Sequence, residues 1–185
     1  PQASYRQTQA PEAPASASGA AAASASVMPE TMGARPGSVM DMFARQNAQA
    51  AQGEEAPALE VPAGFDAAGF ESVAKENFVR LQKAWDTGDY NSLGDFTTDD
   101  LFIELTHSLR QRGAAKQTSE VINLEAKLLG VAKMADANEH IAVVQFKGAM
   151  KIEGEFEEVN ERWVLTRKDD DSSGWLLAGI EQVSA

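Results

Sequence analysis

Cysteine is absent from the 185 residues, which excludes disulfides, thiolate nucleophiles and cysteine-ligated zinc. No apolar run reaches the roughly 18 residues that a membrane-crossing helix needs. Histidine occurs only twice, as His107 and His140, and neither belongs to an HxxxH pair. Neither a DxDxDG loop nor a glycine-rich phosphate loop is present, so no metal or nucleotide site is written in the chain. Basic residues are also scarce. Sixteen Lys and Arg face 28 Asp and Glu, a formal net charge of −12. That balance opposes the broad phosphate-neutralising surface that nucleic-acid binding requires, and it opposes adhesion to anionic lipid by charge alone.

What is present divides the chain in two. Up to residue 64 it is rich in Ala, Ser, Pro, Gln and Gly, a composition that buries little and predicts a mostly disordered lead-in. Residues 65–185 are an ordinary globular mixture with all three Trp, a comfortable length for one domain, and carry 13 basic against 22 acidic residues. The chain opens on Pro1 rather than Met, which reads as a fragment or processed form. Within the lead-in, Ser38 can cap a short amphipathic segment over 38–47 bearing Val39, Met40, Met42 and Phe43. It reads either as a nascent helix or as a docking segment, since pliable Met side chains suit adaptable grooves.

The chain is organised around Phe70–Trp85. Phe70, Val73, Ala74, Phe78, Leu81, Ala84 and Trp85 recur at helical spacing, Asp66 can cap the start, and Gly88 can end the helix in a left-handed conformation. A short helical turn follows over 89–96, with Tyr90, Leu93 and Phe96 directed inward. Thr97 or Thr98 then caps a helix from Asp99 to about Arg112, whose buried stripe is Leu101, Phe102, Leu105 and Leu109. From Thr118 the period changes to two. Four strands are expected, over 119–134 with a bulge or bend at Gly130, over 141–153, over 156–168 and over 175–183. Helices followed by antiparallel strands predict an α+β fold, with the helices packed on one face of a curved sheet.

Six stretches also carry a resemblance. Phe78–Asp89 (FVRLQKAWDTGD), Phe96–Thr98, Val121–Glu125 (VINLE), Val144–Gly148 (VQFKG), Glu161–Arg167 (ERWVLTR) and Gly174–Gln182 (GWLLAGIEQ) occur in order. Together they resemble the C-terminal domain of the mitochondrial inner-membrane translocase subunit Tim forty-four, and more closely its bacterial relatives, from Phe65 to Gln182. The resemblance implies a cone-shaped nuclear-transport-factor-two-like (cystatin-like) fold, in which a bent sheet wraps the long helix and leaves an apolar pocket at its open end. It further implies a non-enzymatic, membrane-associated binding or tethering module that accompanies protein transport or organisation at the bacterial inner membrane. The module would be peripheral, or tethered through a segment ahead of Pro1, on the cytoplasmic side. Its partners would be membrane lipid or an apolar peptide segment, and membrane or translocation proteins. Nucleic acid, cofactor and metal are not expected, and a homodimer through the open sheet face is a further expectation.

The residues assigned to the pocket are Phe78, Leu81, Trp85, Phe102, Leu105, Phe146 and Trp163, each of which also reads as plain core. Trp85, Trp163 and Trp175 merit particular scrutiny, because an indole N–H needs a partner and often sits at a rim. His107 lies off the leucine stripe and His140 at a turn, so both read as exposed. Asp86 and Asp89, beside a helix C-terminus, are expected to cap backbone or pair with Arg, while Asn123, Glu125 and Glu161 could face either side of the sheet. The alternative function is a small isomerase or dehydratase using a buried carboxylate raised in pKa by an apolar wall.

Overall fold

The structure, a computed structural model, describes residues 31–32, 59–113, 116–134, 138–170 and 174–183. The docking segment Val39–Phe43 lies outside the described residues. A two-residue strand β1 (Thr31–Met32) is followed by α1 (Ala67–Thr87), α2 (Tyr90–Asp95) and α3 (Asp99–Arg112). Four strands complete the chain: β2 (Ser119–Met134), β3 (Glu139–Ile152), β4 (Glu155–Lys168) and β5 (Leu176–Gln182). The sheet is antiparallel in the order β1-β5-β4-β3-β2. The α+β arrangement expected from the change of period is therefore present. No helix among the described residues is long and apolar enough to cross a membrane.

The helix ends follow the predicted chemistry. Asp66 caps α1 by accepting from the Gly69 N–H at 2.9 Å, and Phe65 just before it packs on Phe70 with ring centroids 5.7 Å apart. This is a hydrophobic staple, which fixes the direction from which the chain enters the helix. Gly88 closes α1 with φ 68°. Thr98 caps α3, and Asp99 and Asp100 at its start oppose Arg110 and Arg112 at its end, as the helix dipole favours. Leu93 and Phe96 of the α2 region are buried as expected, but Tyr90 is 40% exposed. Its position at the first residue of a six-residue helix leaves nothing above it to pack against.

The sheet is bent by register shifts at Val121/Asn123 and Leu128/Gly130 in β2 and at Ala178 in β5, opposite Val164/Leu165 of β4. Gly130 has a second role, because a Cβ there would lie 2.6–2.8 Å from the backbone and Cβ of Leu59 and Glu60. The crossing segment is held by Val131 N–H donating to the Glu60 carbonyl at 3.0 Å. The reading that starts the domain at residue 65 thus leaves out two contributors. Thr31–Met32 pairs with β5 at one edge of the sheet, Leu59–Glu60 bridges β2 at the other, and Met32 is 1% exposed in the main core. Both edges would otherwise present unpaired amides, and two short pieces of the lead-in satisfy part of that demand.

Carboxylates on α1 dock the rest of β2. Glu71 Oε1 accepts from Leu128 N–H at 2.9 Å near one end of the helix, and Asp86 accepts from Ser119 N–H at 2.9 Å near the other. Asp86 also takes the Ser119 hydroxyl and the Gln117 side-chain amide at 3.2 Å. Asp89 instead caps α2, accepting from the Ser92 N–H and hydroxyl. Both act as backbone-organising groups, the first of the roles expected for them.

Candidate functional site: an apolar cavity at the start of α1

The face of α1 turned to the sheet meets β3 and β4 in an aromatic cluster. Phe78 stacks on Trp163 at 5.4 Å between centroids and 22° between planes, Phe146 meets Trp163 edge-on at 4.8 Å, and Phe78 lies 5.0 Å from Phe146. All three are fully buried, as are Leu81, Leu105 and Trp85, while Phe102 is half-buried and packs against this core. The structure therefore brings the residues assigned to the pocket together as core. The physical reason is the geometry of the wrap. The bent sheet closes on the middle turns of α1, so the sheet-facing side chains midway along the helix are buried.

The opening lies one to two turns earlier. A cavity of about 280 Å³ is lined by Phe65, Asp66, Gly69, Phe70, Val73, Ala74 and Asn77 from the start of α1, and by Leu165 and Trp175 from the sheet. The staple that sets the helix entry thus also builds one wall. Phe70 meets Trp175 edge-on at 5.5 Å, and the Arg167 guanidinium lies 5.3 Å from the Trp175 ring centre on another side. None of the seven residues assigned to a pocket lines this cavity. Of the three Trp, Trp175 is the one at the rim. Trp163 donates its N–H to Glu161 at 3.0 Å, and Trp85 has no acceptor for its buried N–H but lies under Arg112 at 5.4 Å. The signal that marks the cavity in the sequence is Phe-Asp-x-x-Gly-Phe over 65–70, a cap flanked by two aromatics.

A second hollow, polar in character and about 560 Å³, follows β2. Lys75, Lys127 and Lys147 line it with Glu71 and Glu125, so its charge is mixed rather than a basic patch.

Among the described residues two carboxylates are buried, Asp86 at the end of α1 and Glu161 on β4. Glu161 faces the core, 8% exposed, and accepts from Trp163 Nε1 and from Gln182 Nε2 at 2.9 Å. Burial pushes its pKa above the ordinary glutamate value, and the two neutral donors only partly oppose that. The folded chain then holds a proton on Glu161 in a pH range where the unfolded chain has released it. Stability is accordingly full near and below the ordinary pKa of about 4.3. It declines as pH rises through the window up to the raised folded value. Glu161→Gln is expected to flatten this decline and to unfold at higher urea at pH 7 than the parent, as urea titrations at pH 4.5 and 7 would read. Asn123 and Glu125, in contrast, are exposed.

His107 is exposed, as expected. His140 is not: it is half-buried, with Nδ1 2.8 Å from Asp169 Oδ1, because Asn138 and Asp169 join their two turns through a backbone hydrogen bond. Lys133 pairs with the same carboxylate at 2.7 Å and, through that hydrogen bond and its charge, holds Asp169 below the usual aspartate pKa. Among the described residues no group of three or more His, Asp or Glu could hold a metal ion.

Two comparisons with known proteins bear on this geometry. The chain matches no curated protein. Residues 51–182, well over half the chain, match the Tim44-like domain, so the match includes Leu59–Glu60 as well as the helices and all four long strands. The chain belongs to the Tim44-like domain family.

Proposed function

We propose that this chain is a non-enzymatic, membrane-associated binding module, an accessory to protein transport or organisation at a membrane, that takes an apolar ligand into the cavity at the start of α1. The observation that carries the reading is an apolar cavity walled by Phe65, Phe70 and Trp175 in a member of the Tim44-like family. The ligand is an acyl chain of membrane lipid or an apolar peptide segment. Helices packed against a bent antiparallel sheet support the nuclear-transport-factor-two-like reading of the fold, in which such a cavity opens at one end. The membrane is read as the bacterial inner membrane, approached from the cytoplasmic side. Translocation proteins are the expected neighbours, and Val39–Phe43 is a docking segment for one of them.

Charge does not provide the adhesion, because the chain carries a formal net charge of −12. Association with phosphatidylcholine vesicles is therefore expected to persist from 50 mM to 500 mM salt, in contrast to charge-driven binding, which screening weakens. Val73 is 55% exposed at the cavity wall, so Val73→Asp places a charge there at little cost to folding. Vesicle flotation should fall about tenfold in this variant, since a buried charge opposes an apolar ligand. Unchanged flotation would refute the cavity as the site.

The alternative, a small pocket enzyme with a buried carboxylate, has Glu161 as its candidate. Both of its oxygens are engaged by Trp163 and Gln182, and it does not line the apolar cavity. Turnover of any ketosteroid or hydroxy-ketone substrate that disappeared in Glu161→Gln would favour it.

A further inference from the structure

We infer that the outer edge of β5 is a strand-acceptor site for an extended segment of another polypeptide, held closed in this structure by the chain's own Thr31–Met32. The site lies at Ile180 and Glu181, toward the opposite end of β5 from the cavity, and does not depend on it. Phe96 and Thr98 already pair with Leu177 on the outer edge of β5, so without β1 the unpaired backbone groups lie beyond Leu177, toward Ile180 and Glu181. Beside that edge is a slot in the main core, into which Met32 inserts to 1% exposure between β5 and α3.

The occupant now present defines the occupant that fits. It is antiparallel, in the register Thr31↔Glu181 and Met32↔Ile180, and it uses main-chain pairing plus one linear apolar side chain. Main-chain pairing is tolerant of sequence, and the slot selects one anchor residue of methionine or leucine shape. The partner is therefore an extended segment with a single linear apolar anchor, a broad class rather than a fixed motif. The resident strand is suited to being displaced. It is two residues long and pairs with β5 at only two positions, so little main-chain pairing opposes its exchange. A foreign segment competes with it, and its apparent affinity falls by the fraction of molecules in which β1 is docked.

The absence of cysteine makes a clean test available. In the full chain, Thr31→Cys with Glu181→Cys puts two thiols at directly opposed positions, where a disulfide can lock β1 in place. The probe is a fluorescein-labelled peptide of residues 27–36, read by anisotropy, with a control peptide carrying Met32→Asp. The reduced chain should bind the probe and not the control, and oxidation should weaken binding at least about tenfold. Met32→Ser in the full chain should tighten probe binding roughly 10- to 100-fold, as the peptide refills the slot. Should Met32→Ser not fold, the reduced and oxidised forms of the locked pair still decide, because both retain Met32. Equal binding before and after oxidation, or equal binding of probe and control, would overturn the assignment. Covalent dimers on oxidation would also overturn it, by assigning the edge to the strand of a second copy.

Discussion

Replacing Trp163 by Ala should destabilise the chain by about 3–5 kcal/mol in urea denaturation, the largest effect expected of any single substitution considered for this domain. Trp163 is fully buried and contacts both Phe78 and Phe146, so truncation opens a cavity that three elements share. Aromatic pairs of this geometry contribute about 0.5–1.5 kcal/mol beyond their buried area. The substitution also removes one of the two donors to Glu161, leaving a buried carboxyl group with Gln182 alone. Trp163→Phe separates these contributions, because it keeps most of the ring contacts but not the N–H. Its expected cost is about 1–2 kcal/mol, the range for leaving a buried polar group short of a partner. A Trp163→Ala cost below about 1 kcal/mol would mean that the residue lines an open pocket after all.

Asp86→Ala should cost about 2–4 kcal/mol, because three donors lose their acceptor at once. The Ser119 N–H, the Ser119 hydroxyl and the Gln117 amide all point at this carboxylate, which is 8% exposed. An anion near the C-terminus of α1 is disfavoured by the helix dipole, and removing it returns about 0.3–1 kcal/mol. The hydrogen bonds outweigh the dipole, so the net effect is destabilising. Asp86→Asn keeps one acceptor oxygen and should lose about half as much. Hydrogen exchange at Ser119 is the sharper reading, since its amide should exchange much faster in Asp86→Ala while the Leu128 amide, held by Glu71, stays protected.

Helices and strands were legible because their signals are local. The stripe Phe70–Trp85, the caps Asp66 and Thr98, and the helix end at Gly88 each depend on neighbours a few residues away. The alternation in β4 sets Val159, Glu161, Trp163 and Leu165 on one face, and all four are buried. The place of the cavity was not legible, because periodicity shows which face of α1 is buried but not where along the helix the sheet closes. That depends on the long-range packing of β3 and β4 against Phe78 and on the irregularity at Ala178 of β5, neither of which the pattern encodes. Met32 was hidden for a different reason. One apolar residue among Thr, Pro, Glu and Gly has no period, and only the unpaired edge of β5 gives it a place. Gly130 carried more information than the bulge it suggested, since its missing side chain also admits Leu59–Glu60.

The claim that the cavity at Phe65, Phe70 and Trp175 holds an apolar ligand is tested most directly by native mass spectrometry of the full chain, followed by lipid extraction, in parallel with Val73→Asp. The account predicts an added mass of one lipid or apolar peptide on the parent chain that is lost in the variant. A bare parent chain, or an added mass that survives Val73→Asp, would contradict it.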